Sequence, residues 1–277
     1  MKSVRFSDYS VLMSVYRKEK PVFLEQAMES IYNQTIKTND FILVCDGPLN
    51  EGLDEVIAEM QKKFGTVLHV HRLPQNSGLG NALNVGIKDC KNALVARMDS
   101  DDIAYVDRCE RQLQVFAKYP EISVCSGIVE EFTTDPQKVD TRRVPPEKND
   151  EIIKFAKSRN PFNHPCVMYK KSAVEAVGSY QDFYLLEDYY LWLRMLMAGY
   201  QGYNLQEPLL HMRAGSDMYR RRSGYRYAKS QIALLCYMRS RGFITYSQLI
   251  KGAVLRAGSS LAPNWLRQLM FEKILRK

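Results

Sequence analysis

The chain has 277 residues, 45% of them hydrophobic, and a net charge of +8, which suits one α/β domain of roughly 200 residues plus an appendage. No stretch approaches the ~20 uninterrupted apolar residues of a membrane span, and Met1 to Ser10, with Lys2, Arg5 and Asp8, has no apolar run of the kind a signal peptide needs. The expectation is a protein that is not exported, with six scattered cysteines that are reduced and mostly buried, and no zinc site, because no C-x-x-C pair or His/Cys ligand spacing is present.

In chain order, Tyr9 to Tyr16 is an apolar strand of the fully buried type, and Pro21 opens a helix to about Gln34. A second strand, Phe41 to Cys45, stops at the turn signal Asp46-Gly47-Pro48. A helix over Glu51 to Phe64, a strand from Val67 to His71 and a helix from Asn81 to Lys91 follow. A fourth strand, Ala93 to Met98, runs into Asp99-Ser100-Asp101-Asp102. This alternation predicts βαβ units and a mainly parallel sheet, whose ligands sit beyond the carboxyl ends of the strands. Tyr16, Asp46 and Asp99 stand at such ends. Asp107 to Tyr119 reads as a helix, Ile122 to Val129 as a strand, and the Pro-bearing stretch from Thr133 to Pro146 as a loop or hairpin. A short strand at Cys166 to Tyr169 precedes a helix beginning near Glu187.

Charge is unevenly placed. From Arg220 to the end there are thirteen basic residues against the single acid Glu272, so the rest of the chain is net acidic. Segments such as Tyr246 to Arg256 and Trp265 to Arg276 mix Leu, Ile, Met, Phe and Trp with Lys and Arg, the composition of helices that lie in a membrane interface. No recognised module accompanies the charge to indicate nucleic-acid binding.

Two acidic clusters carry chemistry. Three carboxylates within four residues, Asp99 to Asp102, repel one another unless a cation or ligand holds them, and a hard divalent ion meets that need. Helix capping would use the same residue types. Glu187-Asp188 heads an aromatic-rich helix, Tyr189-Tyr190-Leu191-Trp192-Leu193-Arg194. A carboxylate there can act as a general base, although capping alone also explains an acidic first turn.

The ordered set resembles family 2 glycosyltransferases, inverting enzymes of the GT-A fold. Its elements are Ser10 to Tyr16, Glu29-Ser30-Ile31 with Gln34-Thr35, Val44 to Pro48, Asn76-Ser77-Gly78-Leu79-Gly80-Asn81-Ala82-Leu83-Asn84, the Asp99–Asp102 quartet, Asn163-His164-Pro165, Val177 to Tyr180 and Glu187-Asp188, spread over roughly residues 9 to 213. Met-Ser-Val-Tyr and Arg-Met-Asp-Ser-Asp-Asp look closest to the amylovoran-biosynthesis-like capsule and exopolysaccharide subgroup.

The resemblance implies an α/β, GT-A (Rossmann-like) domain over residues 1–219 and a basic, membrane-associating helical extension over 220–277. It implies a UDP-sugar donor held by Val15, Tyr16, Asp46, Asn76, Gly78, Asn84, Arg97, Asp99, Ser100, Asp102 and Arg213, with Mn²⁺ or Mg²⁺ on Asp99 and Asp101. It further implies Asp188 as base with Glu187 beside it, and His164, Trp192 and Arg194 toward the acceptor or diphosphate. The acceptor would be a lipid-diphosphate-linked saccharide at the inner face of the cell membrane. A loop around Arg213 to Arg222 would close over the donor. The family usually has Pro where Ser14 stands, a second acid where Cys45 stands, and a histidine shortly after Arg213, where Ala214 and Gly215 follow; His211 is the remaining candidate ligand from that side. Two other readings are a sugar nucleotidyltransferase, which needs a Gly-rich loop where Arg17-Lys18-Glu19-Lys20 has none, and a non-catalytic nucleotide- or saccharide-binding protein, which needs no second acidic site.

Overall fold

A computed structural model of the chain describes residues 6–214 and 224–261, with side chains to residue 256 in the last helix. The strands are β1 (Tyr9–Tyr16), β2 (Asp40–Asp46), β3 (Leu68–Arg72), β4 (Leu94–Asp99), β5 (Ile103–Ala104), β6 (Ile122–Phe132), β7 (Thr141–Arg143), β8 (Met168–Lys170) and β9 (Gln201–Arg213). The helices are α1 (Pro21–Tyr32), α2 (Glu51–Phe64), α3 (Leu79–Asp89), α4 (Arg108–Lys118), α5 (Asn149–Phe155), α6 (Lys171–Ala176), α7 (Glu187–Met197), α8 (Tyr225–Ser240) and α9 (Tyr246–Leu261).

One sheet runs in the order β3-β2-β1-β4-β8-β6-β9-β5, with β7 hairpinned onto β6. β1 to β4 are mutually parallel, as the alternating pattern requires. Beyond β4 the sheet is mixed, because β8 and β5 run antiparallel to their neighbours while β9 lies parallel to β6.

Strand alternation divides the core between the two faces. Val11, Met13 and Val15 of β1, with Phe41, Leu43 and Cys45 of β2, join Leu24, Met28, Leu53 and Ile57 of α1 and α2. Leu12, Ile42 and Val44 turn to the other face and pack with Leu83 of α3, Trp192 of α7 and Leu234 of α8. Apolar residues on both strand faces are therefore needed, and that is why these strands read as continuous hydrophobic runs. Helix α8 shares this second core, while the 219/220 boundary, the Arg213-to-Arg222 loop beyond Ala214 and the Trp265–Arg276 segment lie outside the described residues. Among the cysteines, five are buried and Cys236 is exposed.

Gly86 marks where α3 meets the sheet most closely: a Cβ there would lie 2.3 Å from Leu12 Cδ1 and 2.8 Å from Val44 Cγ2. Gly86→Ala should gain about 1 kcal/mol of helix propensity and lose about 1–3 kcal/mol to overpacking. A net loss on the order of 1 kcal/mol in urea unfolding is expected; a more stable variant would show that the contact relaxes freely.

Candidate active site

The carboxyl ends of β1, β2 and β4 are side by side, Tyr16 paired with Asp46 and Ser14 with Asp99. Their side chains differ in fate. Tyr16 is 38% exposed and available to a ligand, whereas Val15 is wholly buried in the core. Period-two alternation turns Val15 inward, so the donor-pocket role expected of its side chain is corrected to packing.

Asp46 is an anchor. Its carboxylate accepts from Asn76 Nδ2 (2.9 Å), Ser77 N (2.6 Å), Ser77 Oγ (3.1 Å) and Gly78 N (3.0 Å). These bonds stitch the end of β2 to the loop that opens α3. The loops touch closely enough that a Cβ on Gly47, at φ +87°, would sit 2.6 Å from Asn76 N. Gly78, at φ +89°, leads the chain into α3. The resemblance sets Asp46 on the nucleotide and Asn76 and Gly78 in the loop beside it; in the structure Asp46 itself holds that loop through these bonds.

The quartet folds onto itself at the end of β4. Asp99, Asp101 and Asp102 each bring a carboxylate oxygen within 4.8 Å of the others. The fully buried Arg97 pairs with Asp99 from behind. Burial opposes the Arg97 charge, but Asp99, then Tyr180 and Asp102, hold its pKa above the ordinary arginine value. Asp102 Oδ1 accepts from the Arg213 backbone N–H at 2.8 Å, while Asp102 Oδ2 is buried with no hydrogen-bond partner among the described residues. The Arg213 guanidinium donates to the Asp101 carbonyl and to Gln26, and stacks on Phe23 at 3.7 Å, so its hydrogen bonds bypass the acidic side chains. Ser100 Oγ donates to Glu19 at 3.3 Å, adding an acid from the turn after β1. Burial, then the Asp99 charge and Glu19, push the Asp101 carboxyl up to about 7; burial, then Asp101 and Asp99, push Asp102 well above the usual carboxylate range.

Converging hard oxygens and an orphaned buried oxygen are the marks of a site that fits a divalent cation of the Mg²⁺ or Mn²⁺ kind. His211 is not among these donors. It stacks on Tyr105 at 4.5 Å and approaches Glu130, which corrects the expectation that it could serve as a ligand.

Asp188 lies in the first turn of α7, half-buried. Its Oδ2 accepts from Asn160 Nδ2 at 2.6 Å and its Oδ1 from the Tyr189 N–H at 2.7 Å. Glu187 lies against the start of α3, where a Cβ on Gly80 would meet it at 3.8 Å. Ser179 (φ 52°) and Leu185 (φ 58°) hold left-handed backbone on the segment leading into α7, strain that commonly accompanies functional sites.

Tyr180, which no single motif assigned a role, is held between α3 and His164. Its backbone is clamped to α3, donating to Asn84 Oδ1 (2.8 Å) and accepting from Asn84 Nδ2 (2.7 Å). Its hydroxyl meets His164 Nε2 at 2.8 Å. Burial raises its pKa; the Arg97 charge on one side opposes this, and Asp188 and Glu187 on the other add to it. His164 is buried, and burial with Arg97 pulls its pKa far down. Asn84 and His164 are thus supports for Tyr180.

Two expected acceptor residues are corrected. Trp192 is wholly buried against Phe162, His164 and Tyr169. The Arg194 guanidinium donates to the Val177 carbonyl and to the Ser179 carbonyl at 2.6 Å, which fixes the turn before Tyr180. Asn160, Glu19 and Gln26 were missed by sequence reasoning, since each gains its meaning from a partner far away in the chain.

Residues 10–178 match the model of glycosyl transferase family 2. The chain is 39% identical over 268 residues to the amylovoran biosynthesis glycosyltransferase AmsE of Erwinia amylovora, covering 96% of this chain and 98% of that protein. It is 36% identical over 269 residues to the UDP-Gal:alpha-D-GlcNAc-diphosphoundecaprenol beta-1,3-galactosyltransferase of Escherichia coli, covering 97% of each. Among solved structures, the mannosyltransferase PcManGT of Pyrobaculum calidifontis, in complex with GDP-Man and Mn²⁺, superposes with a TM-score of 0.67 at 14% identity, over 96% of this chain and 73% of that one. The fold is therefore of the GT-A kind, and this chain belongs to glycosyl transferase family 2, making it a glycosyltransferase.

Proposed function

We propose that the protein transfers a hexose, galactose or glucose, from a UDP-sugar to a hydroxyl of a lipid-diphosphate-linked saccharide, with inversion, in capsule, exopolysaccharide or O-antigen synthesis. The observation that carries this reading is the convergence of Asp99, Asp101 and Asp102, whose carboxylate oxygens lie within 4.8 Å of one another at the end of β4, in a chain that matches glycosyl transferase family 2. The names of two full-length relatives support it: one builds amylovoran, and the other uses UDP-Gal and a diphosphoundecaprenol-linked sugar.

In this reading Tyr16 and the loop shaped by Asp46 receive the nucleotide, and Asn76 and Gly78 offer it polar and backbone groups. Asp99 and Asp101 hold Mn²⁺ or Mg²⁺, with Asp102 behind them. A divalent ion bound there supplies charge stabilisation to a departing diphosphate, and Arg213 closes from β9. Asp188 takes the proton of the acceptor hydroxyl as its oxygen attacks the anomeric carbon from the side opposite the leaving group, with Glu187 beside it. One in-line displacement inverts the configuration. In this reading the enzyme works on the cytoplasmic side, peripheral at the inner face of the cell membrane, held there through the basic segment of residues 220–277.

Release of UDP from a panel of UDP-sugars, with Mn²⁺ and a diphosphate-lipid-linked sugar, tests the proposal. Turnover of one hexose donor, and inverted product by NMR, is expected; retention in the product or exclusive use of GDP-sugars refutes it. A second test addresses the anchor. Charge-assisted hydrogen bonds contribute roughly 1.5–3 kcal/mol each, so Asp46→Ala should weaken UDP binding by about tenfold or more in calorimetric titration. Unchanged affinity would detach the 76–78 loop from the donor site.

A further inference from the structure

Helix α9 has two unlike faces. Its inner face is settled: Leu249 and Ala253 pack on the second core cluster, and a Cβ on Gly252 would stand 3.1 Å from Leu235 of α8. Its outer face is apolar and open. Tyr246, Ile250 and Val254, one turn apart, are 66%, 64% and 67% exposed, and Leu255 is 56% exposed. A contiguous apolar stripe left in water marks a contact surface.

Charge identifies the partner. Residues 224–261 contain six basic residues and no acidic one. Arg239 lies over the Tyr246 ring at 3.9 Å, and Lys251 is exposed on the outer side between Ile250 and Val254. Two copies meeting through this face would bring like charges together, and nucleic acid would leave the apolar stripe unsatisfied. An anionic lipid surface satisfies both halves, with the side chains in the acyl boundary and the cations at the headgroups. No helix among the described residues is long and apolar enough to cross a membrane, so the helix would lie in the plane of the surface.

The same helix is tied to the reacting end of the site. Arg256 donates to the Ser158 carbonyl at 2.8 Å and to Gln231 of α8 at 2.9 Å, and reaches the Tyr189 hydroxyl at 3.4 Å. Ser158 is two residues before Asn160, which holds Asp188, and Tyr189 directly follows Asp188. We infer that the outer face of α9 seats in an anionic lipid surface and that Arg256 thereby sets the Asp188 side of the cleft beside the membrane, where a lipid-linked acceptor would present its sugar. This deepens the reading above, on which it rests for the membrane location and for the acceptor.

The test uses the full chain and vesicles of phosphatidylcholine with or without phosphatidylglycerol. Wild type should sediment with the anionic vesicles, less so at high salt. Replacing Ile250, Val254 and Leu255 together by serine, which removes no charge, should weaken that partition about tenfold. Transfer to a water-soluble short-chain acceptor should stay at the wild-type rate, while transfer to a vesicle-borne acceptor falls. Equal partition of the two proteins, failure of wild type to bind anionic vesicles, or a dimer that the triple variant converts to monomer in light scattering would each overturn the inference. If the triple variant loses docking while wild type handles soluble and vesicle-borne acceptors equally, α9 keeps its surface and only the lipid-linked acceptor falls.

Discussion

Asp188→Ala should lower kcat by about 10²–10⁴-fold, the range for removing a positioned general base, with UDP affinity unchanged. The side chain is built for the role. Asn160 donates to one oxygen and the Tyr189 N–H to the other, and the first turn of α7 adds the positive end of a helix dipole. The two hydrogen bonds fix the orientation in which the carboxyl group meets an acceptor hydroxyl. Asn160→Ala should preserve folding and cost less, because it loosens the carboxylate without removing it. Single-turnover transfer, with donor binding measured in parallel, separates the two effects. Near-normal transfer by Asp188→Ala would remove it from the chemistry and return the acidic start of α7 to simple capping.

The second large effect belongs to the quartet. Asp101→Asn should abolish metal-dependent donor binding and reduce turnover on the order of 10³-fold, a scale typical for losing an electrostatic stabiliser of developing charge. Wild type should show a matching pH dependence. The Asp101 carboxyl is raised from 3.8 in the free group to about 7 in the folded protein, so the folded state holds this proton more tightly than the unfolded chain. Its contribution to the metal-free fold is therefore complete below 3.8 and lost as pH rises through about 7. A cation must displace that proton and benefits where it has already left. The rise in Tm on adding Mn²⁺ should thus be larger at pH 8 than at pH 6. A metal shift that is the same at both, or larger in acid, would contradict this placement of the ion.

Much of the order of elements was open to reading from local signals. Helix α2 is the clearest case. Asn50 caps it by accepting from Leu53 N–H at 3.0 Å, acids fill its first turn, lysines its last, and Gly65 at φ +59° ends it. Each signal lies within a few residues of what it controls. The quartet was equally legible, since carboxylates crowded at the end of an apolar strand announce a need for a partner in any fold. The mixed half of the sheet was not, because β8 and β6 are apolar in the manner of parallel strands and direction leaves no mark on composition.

Helix α7 shows where local reasoning stops. Asp188 and Trp192 are one turn apart and share a stripe, so periodicity gives them the same face. The fold separates them: Asp188 in the first turn stays half-buried and is bound by Asn160, while Trp192 in the next turn is driven under Phe162 and Tyr169. Asp46 tells the same story across 30 residues, as its four donors come from a loop that reaches it only after β2 and α3 are in place. Sequence alone determined the types of chemistry this protein possesses, its parallel first half and its basic end, because strand period, capping and charge are properties of neighbours. Tertiary structure decided which of those side chains face a ligand and which hold others in position, because burial and long-range hydrogen bonds exist only once distant segments have met.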